Sequence, residues 1–260
     1  MAQDPVVLAD ADNTLWDTDD VYSSAQLALL SNIEVATGKR VVGSNRLEFV
    51  REYDQAIAAR HHLHLRYPSP MLIRALVAGL SSMASTEAAE SVIRGRKLPY
   101  QISILEIDSI ASEFALALSK MPDLLQGVQE GLQLAKDHGL VTYVLTEGQA
   151  EKQRKLIDFH GLGKLVQGVS EVTKSESQFR RLRKRFFPAN VYVVGDQEDR
   201  DIIPADKARC ITILIPSRFR PKWQDRDCGE TAFFVANNFL EAISWIVEKE
   251  KKELCLSVNK

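Results

Sequence analysis

The chain has 260 residues, long enough for one large domain or for a core domain carrying a smaller one. Its composition, 45% hydrophobic and 26% charged, is that of an ordinary globular protein and excludes an intrinsically disordered chain. A formal net charge of -2 from 33 basic and 35 acidic residues gives no overall pull toward nucleic acid. The one dense basic run, RRLRKR at 180–185, reads as the solvated face of a helix, so no nucleic-acid partner is expected. Cys210, Cys228 and Cys255 are odd in number and lack CxxC spacing; neither a disulfide framework nor a zinc site is implied, and a reducing cytoplasm fits best. MAQDPVVLAD lacks the basic and long apolar regions of a signal peptide. No apolar stretch approaches the ~20 residues needed to span a bilayer, so no membrane partner is expected.

The first element is short and apolar: Val6, Val7, Leu8 and Ala9, stopping at Asp10. A brief β-branched run ending in acids reads as a buried strand whose carboxyl end faces a crevice. Over 20–120 helical spacing takes over, as in Leu27, Leu30 and Val35 before Gly38, then Leu47, Val50 and Ile57. Segments 71–80 and 102–118 continue it, Pro68 and Pro70 separate helices, and the whole predicts an insert of roughly four helices. After Pro122 helices and strands alternate. Leu125, Val128, Leu132 and Ala135 share a helical face closed by Gly139, and LVTYVL at 140–145 is a buried strand. A helix over 149–160 stops at Gly161, and 165–172 contains a short strand. Phe179, Leu182 and Phe186 mark a helix ended by Pro188. VYVV at 191–194 and ITILI at 211–215 are strands, ETAFFVA at 230–236 is a candidate edge, and 238–251 is a helix with Phe239, Ile243 and Ile246 on one face. Strands alternating with helices argue an α/β fold with a parallel sheet covered on both faces, whose ligands bind outside the carboxyl strand ends.

Three strands end in a telling way: Asp10-Ala11-Asp12-Asn13-Thr14, then Thr146-Glu147-Gly148, then Gly195-Asp196 followed by Asp199 and Asp201. Carboxylates gathered at strand ends repel one another unless a cation or hydrogen bonds offset the repulsion. A hard divalent ion such as magnesium, which completes its octahedron with water and phosphate oxygens, is the natural solution.

DADNTLW resembles the first motif of the haloacid dehalogenase superfamily, LTEG the second, and GDQEDRDIIPADKA the fourth, in the family's order and across nearly the whole chain. The resemblance implies a Rossmann-like doubly wound parallel sheet, residues 1–19 and 121–260, with a helical cap inserted at 20–120 and hinges at 15–20 and 119–123. It implies a magnesium-dependent phosphatase acting on a small phosphorylated metabolite. Asp10 would be the nucleophile that becomes an aspartyl phosphate, and Asp12 the general acid and base. Asp10, Asp196 and the Asp12 carbonyl would bind Mg2+, with Asp201 a ligand through water or a support behind the ligands. Thr146 would hydrogen-bond a phosphoryl oxygen. Lys174 would neutralise the transferring group, with Lys164 and Lys152 as competitors. Dehalogenases of the superfamily lack the second aspartate, so Asp12 points to phosphoryl transfer. Two departures stand out: Asn13 replaces the commoner glycine, and Glu147 follows Thr146 where a small or amide residue is usual. Glu147 is expected to face away from a phosphate or to meet a cationic group of the substrate.

Bland readings stand beside these. Asp10 and Asp12 could serve a turn after a strand, Thr146 could cap the next helix, and Asp196 and Asp201 could cap a loop. His61, His62 and His64 read as a solvated helix end, Arg60, Arg66 and Arg74 as exposed helix positions, Trp16 and Tyr22 as packing residues, and Cys210 as inert. A phosphomutase or phosphonatase on the same fold, and a non-catalytic protein that keeps it, remain alternatives. The sequence does not indicate the substrate or the oligomeric state.

Overall fold

A computed structural model of the chain describes residues 4–43, 45–62, 67–218 and 232–258. His64, Arg66, Cys228, Glu230 and Thr231 lie outside the described residues. The chain divides into two compact units, Met1–Thr18 with Pro122–Lys260, and Asp19–Met121.

In the first unit, β1 (Val6–Asp10) is buried at every position. It pairs in parallel with β2 (Val141–Thr146) on one side and β4 (Val191–Gly195) on the other. β3 (Gly168–Glu171) extends the sheet beyond β2, while β5 (Ile211–Leu214) and the short β6 (Phe234–Val235) extend it beyond β4. The order is β3-β2-β1-β4-β5-β6 and every pair is parallel. The chain thus runs outward from β1 to β3, then returns to the far side of β1 to lay down β4. That reversal opens a crevice at the carboxyl ends of β1 and β4.

Alternation along the strands assigns the layers. Val7, Ala9, Tyr192 and Val194 enter one apolar cluster with Leu132, Ala135, Leu156, Phe239, Ile243 and Ile246. Helices α6 (Val128–Asp137), α7 (Ala150–Phe159) and α10 (Phe239–Val258) supply those partners. Val6, Leu8, Val191 and Val193 enter a second cluster with Phe179 and Leu182 of α8 (Glu176–Arg185) and Ala205 of α9 (Ile203–Lys207). Each large apolar side chain so buried stabilises by about 1.5–3 kcal/mol, against about 0–1 kcal/mol for a surface ion pair such as Arg180–Glu176. The two apolar layers therefore hold the unit together. Gly131 lets α6 approach α10: a Cβ there would stand 2.8 Å from Phe239 Cδ1. In α8, Arg180, Arg181, Arg183, Lys184 and Arg185 are all exposed while Phe179 and Leu182 are buried, the amphipathic face expected of RRLRKR.

The second unit is helical, built of α1 (Thr18–Thr37, whose first residue belongs to the other unit), α2 (Arg46–Ala58), α3 (Ser69–Gly79), α4 (Ser85–Ile93) and α5 (Ile104–Leu118) around one apolar cluster. The described residues hold five helices here, one more than the roughly four expected; α4, whose STEAAESVI carries little bulk, is the addition. The face of α1 is also phased differently from the expectation. Ala25, Leu29, Leu30 and Ile33 are buried, and Val35 is 84% exposed. His61 is a further correction: it is buried, its ring tilted against His62 and edge-on to Tyr67, rather than solvated. Tyr22 is exposed, so packing does not explain it, whereas Trp16 in the first unit is fully buried. Arg60 and Arg74 are exposed as expected. Among the described residues no helix is long and apolar enough to cross a membrane.

Candidate active site

The site forms within the first unit, where β1, β2 and β4 end. β1 delivers Asp10, 7% exposed. The chain then turns tightly, with the Leu15 and Trp16 amides donating to the Ala11 carbonyl and the Asn13 amide to that of Trp16. Asn13 sits at φ 60, the left-handed region that suits glycine and, among other residues, asparagine best, which accounts for the exchange at this position. The turn presents Asp12 two residues beyond Asp10. Its carboxylate accepts from the Thr18 hydroxyl at 2.9 Å and from the Gln153 amide at 3.4 Å, while Gln153 Oε1 accepts from buried Trp16 Nε1 at 2.8 Å. Thr18 and Gln153, neither singled out in the sequence, therefore orient Asp12. Gln153 lies on the buried stripe of α7, a position usually apolar, and that polar exception was the available signal.

Thr146 ends β2, buried, and its hydroxyl oxygen accepts from the Gly148 amide at 2.9 Å. It is not the cap of α7: Gln149 holds that place without a side-chain bond, and the Ala150 amide instead donates to Glu171 at 3.0 Å. Lys174, between β3 and α8, sends its ammonium into the crevice, where it pairs with Asp10 and, at 2.5 Å, with Asp201 Oδ1. Lys152 and Lys164 are exposed. β4 ends in Gly195 and is followed by Asp196, 6% exposed. A π-helical turn, Glu198–Ile202, then carries Asp201, 1% exposed, whose Oδ2 accepts from the Gln197 amide at 3.1 Å.

Asp10, Asp196 and Asp201 each place an oxygen within 4.8 Å of the others; the Asp12 carboxylate stands outside that cluster. Three buried carboxylates against one ammonium leave an excess of negative charge. Like charges ~4 Å apart repel by about 4 kcal/mol at an effective dielectric of ~20. Burial, the largest cause, pushes the Asp10 carboxyl up to about 7 against the pull of Lys174, and Asp201 and Asp12 add to the rise. Burial and the neighbouring Asp10 and Asp201 likewise hold Asp196 well above the carboxylate range. Burial alone would lower the Lys174 ammonium, but Asp10 and Asp201 outweigh it and hold it above an ordinary lysine. Asp196 Oδ1 is buried without a hydrogen-bond partner. An orphaned oxygen inside an over-negative cluster is what a divalent cation would satisfy, and the all-oxygen donor set suits a hard one. Asp201 differs, since both its oxygens are already engaged, which favours support over direct ligation.

Glu147 is turned onto cations and amides of the protein itself. Its Oε1 accepts from the Lys174 amide at 3.0 Å and its Oε2 pairs with Arg200 at 3.3 Å.

Comparison with known proteins bears on the family and the fold. A family model for haloacid dehalogenase-like hydrolases matches residues 5–209. Comparison with curated protein sequences gave no match. Among solved structures, a haloacid dehalogenase-like family hydrolase from Xanthomonas campestris is 15% identical, with a TM-score of 0.59 over 97% of this chain and 95% of that one. A HAD-hydrolase from Bacillus subtilis, bound to magnesium, is 15% identical with a TM-score of 0.57 over 95% and 99%. A HAD phosphatase from Thermococcus onnurineus is 13% identical with a TM-score of 0.51 over 93% and 97%. At such identities the structural likeness establishes the shared fold.

Proposed function

The chain belongs to the haloacid dehalogenase-like hydrolases, and from that premise we propose that it is a magnesium-dependent phosphatase that hydrolyses a small, soluble phosphate monoester. One observation carries the reading: a second carboxylate, Asp12, is oriented by Thr18 and Gln153 beside Asp10 yet apart from the Asp10–Asp196–Asp201 cluster. Expulsion of a halide needs no such acid; expulsion of an alkoxide does.

In the first step an Asp10 carboxylate oxygen attacks phosphorus. The bond from phosphorus to the ester oxygen breaks with its electron pair on that oxygen, and Asp12 donates a proton to release the alcohol. In the second step Asp12, now ionised, takes a proton from a water molecule while the water oxygen attacks phosphorus. The bond to Asp10 breaks, freeing inorganic phosphate and the carboxylate. The Lys174 ammonium balances charge on the transferring group and screens Asp10 and Asp201 from each other, and the Thr146 hydroxyl can donate to a phosphoryl oxygen. Asp10, Asp196 and the Asp12 carbonyl would hold Mg2+, with Asp201 behind them; when bound, the ion screens the carboxylates and polarises the phosphoryl group. In this reading the helical unit Asp19–Met121 is the family's cap and governs substrate choice, and a cytoplasmic setting matches the buried Cys210 thiol.

A panel of phosphorylated metabolites, assayed with and without magnesium for phosphate release and for isomerised product, tests the proposal. Magnesium-dependent phosphate release is expected. Isomer without released phosphate would replace the phosphatase with a mutase, and turnover confined to carbon–phosphorus bonds would indicate a phosphonatase.

A further inference from the structure

We propose that Glu147 is a positioning residue for Lys174, tying the loops after β2, β3 and β4 into one frame; the inference rests on the phosphatase reading. Lys174 is the cation of the site, yet it lies in the segment between β3 and α8, outside regular structure. Its side chain is 6% exposed and spans Asp10 and Asp201, so small shifts of its backbone are felt at both carboxylates. Glu147 Oε1 takes the Lys174 amide at 3.0 Å, from the residue directly after Thr146. Glu147 Oε2 takes Arg200 Nη1 at 3.3 Å, and Arg200 directly precedes Asp201 in the π-helical turn.

One carboxylate therefore holds the backbone of the lysine and the turn that carries its second partner. Glu171 at the end of β3 reciprocates by accepting the amide of Ala150, the first residue of α7, so the segments that follow β2 and the end of β3 are cross-tied in both directions. The arrangement also answers the electrostatic objection to an acid beside Thr146. Glu147 is paired with Arg200, and its side chain is only 22% exposed. A glutamine there could still accept the Lys174 amide; an alanine could not. Displacement of a charged catalytic group by ~1 Å costs on the order of a hundredfold in rate.

The test compares Glu147→Ala, Glu147→Gln and Asp10→Asn with the full-length protein in magnesium, using a small aryl phosphate. Glu147→Ala should lower kcat at least about tenfold with a smaller change in KM, and Glu147→Gln should recover most of the loss. In parallel, amine-reactive labelling of Lys174, read by peptide mass spectrometry, should rise severalfold in Glu147→Ala and stay low in Glu147→Gln. Labelling needs no turnover, so it judges the positioning role even if no phosphate is hydrolysed, which would sink the phosphatase reading instead. Unchanged labelling in Glu147→Ala, or a glutamine variant as impaired as the alanine variant, overturns the inference.

Discussion

Gly195 leaves the space that the Asp201 carboxylate fills: a Cβ at 195 would stand 2.5 Å from Asp201 Oδ2. The requirement is for room rather than for an unusual backbone angle, since Gly195 does not have a positive φ. Asp201 is fixed by the Gln197 amide and Lys174, so it has little freedom to yield. Gly195→Ala is expected to destabilise by about 1–3 kcal/mol, the usual cost of overpacking, and to lower activity by displacing Asp201 from Lys174. Thermal unfolding and phosphate release measure the two effects; a variant with wild-type melting and rate would show that the turn gives way freely.

The nucleophile is tested by Asp10→Asn. An amide attacks phosphorus poorly and leaves the Lys174 ammonium with Asp201 alone of its two ion-pair partners. Turnover should fall by orders of magnitude. A rate above roughly a tenth of wild type would remove Asp10 from that role.

Asp12→Asn separates proton transfer from metal binding. The backbone carbonyl is unchanged, and the amide oxygen can still accept from Thr18, so the turn should persist. Alkyl phosphates, whose leaving oxygen needs a proton, should lose far more rate than aryl phosphates with good leaving groups. Equal losses for both would mean that Asp12 is not the general acid.

Much of this was legible in the sequence because strand ends declare themselves. The apolar runs before Asp10, Thr146 and Asp196 fall on adjacent parallel strands, so residues far apart in the chain meet by topology alone. Lys174 was harder to place, since loop lysines carry no periodicity. What selects it over Lys152 and Lys164 is burial against Asp10 and Asp201, a property of the fold. Gln153 and Arg200 were missed for a similar reason. Each acts through a partner more than 50 positions away, Gln153 on Asp12 and Arg200 on Glu147. In α1 the helical spacing was legible but its phase was not, whereas in α2 the expected Val50 and Ile57 are buried. Val35 and Ile33 both suit a helix face, and only packing puts Ile33 inside and Val35 out.

The last prediction joins cation and intermediate. Asp10 and Asp196 with the Asp12 carbonyl are few ligands for an octahedral ion, leaving places for water and one phosphate oxygen, the pattern magnesium prefers. Beryllium and aluminium fluorides imitate a phosphoryl group, the first as a tetrahedral adduct on a carboxylate and the second as a planar group in transfer. Either would add negative charge to a site where three buried carboxylates already face one ammonium. Without a divalent ion that addition enters a cluster whose crowding already disfavours ionisation of Asp196, and Lys174 alone does not offset it. Inhibition by both fluorides is therefore expected in magnesium and should vanish when the ion is chelated, with Asp10→Asn failing to retain beryllium fluoride in either condition. Titration calorimetry of fluoride binding, with and without chelator, measures this directly. Equal binding after exhaustive chelation, or retention by Asp10→Asn, would overturn an aspartyl-phosphate mechanism at this site.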